Sequence, residues 1–245
     1  MLADSFHIVS EALPPGAEHP FDVCSLIDEV GQLFCLLHRP IISETLIQFD
    51  IMLGMNTGSS LLVVRHGLVQ TPYDDTGRRL IYGPEQPLNE EGKGQIRVLG
   101  ETLSRQSLPA VIYTSPVLRA SQSAGILKDT LPGSIPVIPA IGLHCAATTQ
   151  WDNQPIELLV ASGGDIFSPN PYRMDIHGES VKDTYKRTIA EIKDIRSKHP
   201  HETVALVTHG EIISLISHYL QTEDEENPFM DEPIEKGEAL LFRFD

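Results

Sequence analysis

Two apolar runs end in the same pair of residues. Leu61 to Val64 leads into Arg65-His66-Gly67, and Ala205 to Val207 leads through Thr208 into His209-Gly210. Ionisable side chains at the end of a buried strand are costly unless something offsets them, so both junctions call for a chemical explanation. A third run ends in Thr114-Ser115-Pro116, where Ser115 is placed to cap a helix opened by Pro116, with Arg119 about one turn inside it. If these runs are neighbouring parallel strands, two imidazoles, two guanidinium groups and helix N-termini meet at one sheet edge. Such a pocket attracts anions. Phosphate suits it, because guanidinium forks match its oxygens bidentately and helix N-termini offer free N–H donors. One imidazole, neutral and held through Nδ1, would present Nε2 to phosphorus as a nucleophile, while the other groups neutralise the equatorial oxygens.

The elements that must position these residues are legible from about residue 59. Strands are expected at Leu61–Arg65, Ala110–Thr114, Ile135–Ile138, Thr203–Thr208 and Ala239–Phe244. Helices are expected at Asn89–Gln106, Pro116–Thr130, Glu179–Ser197 and Glu211–Leu220, with a shorter one near Pro155–Ala161. The alternation predicts an α/β domain whose mostly parallel sheet is covered on both faces and binds its ligand at the carboxyl ends of the strands. Residues 1–58 read as an N-terminal helical extension to a catalytic domain at 59–245. Val23, Leu26, Ile27, Val30, Leu33, Phe34 and Leu37 fall at helical spacing, and Ser43 is placed to cap a second apolar helix. The extension is expected to pack on the domain or on a homodimer partner, with a lid over the site as the sharper alternative. Met55, just before "NTGSS", also reads as a natural start. The acidic stretch 222–238 reads as a solvated loop.

Composition narrows the partners. A chain of 245 residues with 41% hydrophobic content can bury a substantial core. Its apolar runs are too short to span a membrane, and its N-terminus lacks the basic and apolar regions of a secretion signal, so a cytoplasmic protein is expected. A net charge of −16 and a pI near 4.9 disfavour nucleic acid and anionic lipid. Cys24, Cys35 and Cys145 are an odd number without metal-type spacing and read as reduced thiols. His144, His177, His199, His201 and His218 offer no recognisable zinc spacing, and "SGGD" at 162–165 lacks the ending of a nucleotide-binding loop. The expected partner is a small anionic phosphorylated substrate, with no metal.

The motifs "VVRHG", "PLNEEGKGQI", "TSPVLRASQSA", "WDNQPIELL", "HGESVKDTYKR" and "VTHGE" follow one another between residue 61 and about 244. In this order they resemble the histidine phosphatase superfamily, in its phosphoglycerate-mutase-like branch. The resemblance implies a three-layer α/β/α sandwich and hydrolysis of phosphomonoesters without metal or organic cofactor. It also implies His66 as the phosphorylated nucleophile, with Arg65, Arg119 and His209 completing the phosphate pocket. Gly67, Gly210 and Glu211 are expected substrate contacts.

Two departures stand against that pattern. The segment after Arg-His-Gly carries Leu68, Val69 and Pro72 where relatives commonly have Glu, Thr and Asn. More important, aligning Trp151, Asp152 and Asn153 on the family's Trp-Glu/Asp-Gly places Cys145 where the proton-donating glutamate is expected. Asp74, Asp75, His144, Glu157 and His177 are the other candidate acids. The alternatives are therefore an impaired phosphatase, a repurposed lyase or an anion-binding protein. A mutase is disfavoured, because no extra basic residues are evident to hold a carboxylate and a second phosphate.

Overall fold

Short β-branched runs that are apolar on both faces can only be stable inside a sheet covered on both sides, and the computed structural model shows that arrangement. It describes residues 58–105, 108–146, 151–161, 179–230 and 234–244, all within the unit Asn56–Asp245. The two expected N-terminal helices, Cys24, Cys35, His177 and the 162–165 loop lie outside the described residues. In chain order the elements are β1 (Ser59–Arg65), α1 (Glu90–Leu103), β2 (Val111–Thr114), α2 (Leu118–Thr130), β3 (Val137–Pro139) and a 3-10 turn (Ile141–Leu143). They continue with α3 (Ile156–Ala161), α4 (Val181–Lys198), β4 (Thr203–Thr208), α5 (Gly210–Thr222) and β5 (Ala239–Phe244).

The sheet order is β3-β2-β4-β1-β5, parallel except for β5, which runs antiparallel to β1. Arg65 pairs with Thr208, so β1 and β4 release His66 and His209 at the same edge. On one face Leu61 and Val63 pack with Ile189 and Ile192 of α4 and Ile212 and Ile216 of α5. On the other, Leu62 and Val64 pack with Ile96 of α1 and Ala120, Ala124 and Leu127 of α2. These two cores are the three-layer α/β/α arrangement.

Most boundaries fall within a few residues of the sequence reading, and three of the differences bear on the site or the sheet edge. Helix α2 starts at Leu118 rather than Pro116: Val117 is extended, Leu118 N–H donates to the Pro84 carbonyl, and Ser115 makes no cap to the helix. Helix α4 starts at Val181 rather than Glu179, because Ser180 is the N-cap and its hydroxyl accepts from Asp183 N–H. Strand β3 is Val137–Pro139, shifted along its pairing with Ile112 to Thr114 of β2.

Two glycines set how closely α1 approaches the end of β1. A β-carbon on Gly92 would lie 2.0 Å from the Leu68 carbonyl oxygen, and one on Gly67 would lie 2.4 Å from the Gly92 carbonyl oxygen. Only glycine permits this backbone contact. It holds the segment following His66 against the N-terminus of α1, where the Asn89 side chain accepts from Gly92 N–H at 2.7 Å.

Candidate active site

His66 leaves β1 almost fully buried, 6% exposed. Its Nδ1–H donates to its neighbour Gly67's carbonyl at 2.8 Å, which leaves Nε2 as the lone-pair nitrogen. Burial first, then the positive charge of Arg119, Arg65 and Lys236, pushes its pKa down to about 3, against the hydrogen bond to Gly67. The ring is therefore neutral throughout the physiological range. Arg65 is held by its Nη1 donating to the Ile234 carbonyl, while its Nε is buried and unpartnered among the described residues. Burial lowers its pKa, opposed by Glu211, Glu235 and Glu238 nearby.

At the end of β4, His209 lies with its ring centroid 5.2 Å from that of His66, the planes at 65°. Ser115, at the end of β2, accepts Val117 N–H at 3.3 Å and sits 2.9 Å from His209 Nε2. With Ser115 Oγ accepting from Val117 N–H, its own proton is free to donate to Nε2, which would leave the His209 proton on Nδ1. That Nδ1 is buried with no hydrogen-bond partner among the described residues. Ser115, read in the sequence as a helix cap, thus serves His209 instead. Burial, followed by the positive charge of Arg119, keeps the His209 pKa well below its usual value.

Arg119 is buried in the first turn of α2. Its Nη1 donates to the Gly83 carbonyl at 3.1 Å, and its Nη2 lies 3.7 Å from Cys145 Sγ. The structure thus brings together His66, Arg65, His209 and Arg119 as the sequence predicts, and places Cys145 beside them. Burial, then Glu211, raises the thiol to about 12, so it stays protonated. Gly67 N–H donates to Ser123 Oγ at 3.2 Å, and its lack of a side chain is needed for packing against α1. Gly210 and Glu211 form the first turn of α5, where backbone N–H groups lack intrahelical acceptors. The Glu211 carboxylate acts electrostatically on both Arg65 and Cys145.

The other candidate acids fare differently. Asp74 accepts from Thr76 and Arg78 in an exposed turn, and those bonds, the Thr76 hydroxyl foremost, hold it well below the usual carboxylate range. It cannot carry a proton at neutral pH. Asp75 and Glu157 are exposed. His144 lies next to Cys145, its Nδ1 2.6 Å from the Cys145 carbonyl oxygen, and lines a cavity of about 190 Å³ with Pro84, Glu85, Pro116, Val117 and Ser121.

Three residues of the site had no assigned part in the sequence reading. Arg187 of α4 grips the Glu179 carboxylate, at 2.6 and 2.9 Å, and donates to the carbonyls of Gly142 and Cys145. It clamps the Cys145 segment, and only its place inside the "HGESVKDTYKR" motif hinted at a function. Lys236 lies close enough to depress the His66 pKa. Tyr82 lies 5.6 Å from the Lys236 ammonium, measured to the ring centroid.

Among the described residues no group of histidine, cysteine and carboxylate side chains is arranged to hold a metal ion, and no helix is long and apolar enough to cross a membrane. The sequence model of the histidine phosphatase superfamily (branch 1) matches residues 61–233. The chain is 28% identical over 163 residues to the metal-independent phosphoserine phosphatase of Arabidopsis thaliana, covering 64% of this chain and 67% of that protein. It is 27% identical over 154 residues to phosphoserine phosphatase 1 of Hydrogenobacter thermophilus, covering 61% and 70% respectively. The solved structure of Bacillus stearothermophilus YhfR superposes with a TM-score of 0.62 at 24% identity, over 75% of this chain and 90% of that one, which is a likeness of fold.

Proposed function

This chain belongs to branch 1 of the histidine phosphatase superfamily, and on that premise we propose that it hydrolyses small phosphomonoesters through a phosphohistidine on His66. The observation that carries the reading is the pair of imidazoles. His66 is held as a neutral base with Nε2 free, and His209 in the same Nδ1–H tautomer has its Nε2 taken up by Ser115 and its Nδ1–H without a partner among the described residues. A nucleophile and an N–H donor side by side suit phosphoryl transfer.

In the first step Nε2 of His66 attacks phosphorus as the ester P–O bond breaks, and the leaving alcohol takes up a proton. His209 Nδ1–H and the Arg65 and Arg119 guanidinium groups stabilise charge on the phosphoryl oxygens. In the second step water attacks the phosphohistidine, the P–N bond breaks, and phosphate leaves with His66 restored. The Gly210 and Glu211 amides at the start of α5 add donors, while the Glu211 carboxylate offsets part of the charge of Arg65.

The proton for the leaving group is the weak point. Cys145 keeps its proton, but a thiol is a poor hydrogen-bond donor beside the carboxyl group expected there. Esters whose alcohols leave readily are therefore the preferred substrates. The same observation favours the second reading, a protein that binds phosphorylated anions and turns them over slowly. Phosphate release from phosphoserine, 3-phosphoglycerate and 4-nitrophenyl phosphate, measured in chelator with wild type and His66→Ala, separates the two. Release that is chelator-resistant and lost in the variant is expected. Release that survives His66→Ala contradicts the phosphohistidine route.

A further inference from the structure

Arg65 and Arg119 supply the positive charge that a phosphoryl group needs, yet two more cations stand beside them. Lys236 precedes β5, and its place is fixed by its neighbour. Gly237 N–H lies 3.2 Å from the carbonyls of both Arg65 and His66. Gly237 adopts φ +81°, and a β-carbon there would come within 2.7 Å of Gln95 Cβ. The turn is thereby clamped to the backbone of the nucleophile itself, which carries the half-buried Lys236 to the edge of the pocket.

Tyr82 joins Lys236 to Arg79. The Lys236 ammonium lies 5.6 Å, and the Arg79 guanidinium carbon 6.0 Å, from the centroid of its ring. Its hydroxyl is 3.3 Å from Thr71 Oγ1. The next residue, Gly83, accepts the hydrogen bond from Arg119, so the tyrosine is tied to the phosphate side as well. Neither Lys236 nor Arg79 makes an ion pair among the described residues. Burial lowers the Lys236 pKa, Tyr82 opposes this, and Arg65, Arg79 and Arg119 lower it further. In a protein of net charge −16, a half-buried ammonium within electrostatic reach of three guanidinium groups, of which Arg65 also feels Glu211, Glu235 and Glu238, is an arrangement that a bound anion would relieve.

We propose that Lys236, Arg79 and the Tyr82 hydroxyl form a second anion subsite beside the phosphate pocket, selecting small phosphomonoesters that carry a further carboxylate or phosphate. The inference rests on the phosphatase reading for the position of the first phosphate. It also supplies the extra basic residues that sequence alone did not reveal: Lys236 is 157 residues from Arg79, and neither lies in a recognisable motif.

The test compares three esters built on a two-carbon unit: phosphoglycolate with a carboxylate, 1,2-ethanediol bisphosphate with a second phosphate, and 2-hydroxyethyl phosphate with a neutral end. Affinities are measured by calorimetry on the full chain in a His66→Asn background, where turnover does not interfere, and kcat/KM is measured with His66 intact. The expected preference for one of the anionic-tailed esters over the neutral one is about tenfold or more, as for a charge-assisted contact in a partly buried site. Lys236→Met and Arg79→Gln should each erode that ratio, Lys236→Met by about tenfold and the rim residue Arg79 by less, while Lys236→Arg retains it. Comparing the two anionic esters identifies the second group. Equal affinity for all three esters, or a preference unchanged in both charge-removing variants, overturns the proposal. A preference seen in binding without any phosphate release sustains the subsite and removes the phosphatase reading; release without preference does the reverse.

Discussion

A histidine attacks phosphorus only as the neutral ring; burial among cations holds His66 in that form, and the hydrogen bond to Gly67 fixes its tautomer. Because its pKa is pushed down to about 3, the kcat/KM for 4-nitrophenyl phosphate, corrected for ionisation of the ester, should show no histidine-type loss between pH 8 and pH 5. A decline centred near 6.5 would show that His66 titrates as an ordinary imidazole. Cys145 bears the second prediction at this scale. Cys145→Glu introduces a carboxyl group at the position whose thiol lies 3.7 Å from Arg119 Nη2, and turnover of alkyl phosphates should rise about 10–100-fold, well above any gain with 4-nitrophenyl phosphate. Equal effects on both esters would place the protonated group elsewhere. His66, both arginines, His209 and Cys145, which the structure brings together, were all readable from local motifs. Ser115 was misjudged because the rule for helix caps is local, whereas its partner His209 lies 94 residues away. Lys236 was missed for the same reason: it acquires meaning only when the turn before β5 folds back over β1.

Among the elements, the central strands were the easiest to read and the helix starts the hardest. Runs such as Leu61–Val64 and Val204–Val207 are apolar on both faces, a pattern that fits a covered parallel strand. Helix starts depend on which partner wins a hydroxyl or an N–H. At α2 the Pro84 carbonyl and His209 take what a cap would have used, and at α4 Glu179 is drawn away by Arg187. The close contact of α1 with the end of β1 is sharper than any pattern in the sequence, since it rests on two glycines 25 residues apart. Gly92→Ala forces a methyl group to within 2.0 Å of the Leu68 carbonyl unless the helix shifts, and it should destabilise the protein by about 1–3 kcal/mol. Chemical denaturation reads this directly. Gly94→Ala, in the same helix with open space around its β-carbon, is the control and should be neutral or slightly stabilising. Equal effects in the two variants would show that the close contact does not constrain Gly92.

For the whole molecule, the acidic composition and the basic pocket belong together. A net charge of −16 disfavours polyanions, yet the sheet edge gathers Arg65, Arg119 and Lys236 around two imidazoles, a locally positive field. That concentration has a consequence for acid stability. His66 and His209 have folded-state pKa values below 6.5, so below that pH the unfolded chain binds more protons than the folded one, and stability falls as the pH drops. Thermal unfolding should shift to lower temperature from pH 7 to pH 5, with each histidine contributing at most about 1.4 kcal/mol per pH unit. His66→Asn should flatten the dependence; an unchanged slope would show that other groups dominate. The most direct measurement of the central claim is rapid chemical quench of the wild-type protein with phosphorylated substrate, followed by peptide mass spectrometry. The prediction is an acid-labile phosphoryl group on the peptide containing His66, formed and lost at rates that match phosphate release. Steady phosphate release with no phosphoryl group on that histidine at any quench time would contradict it.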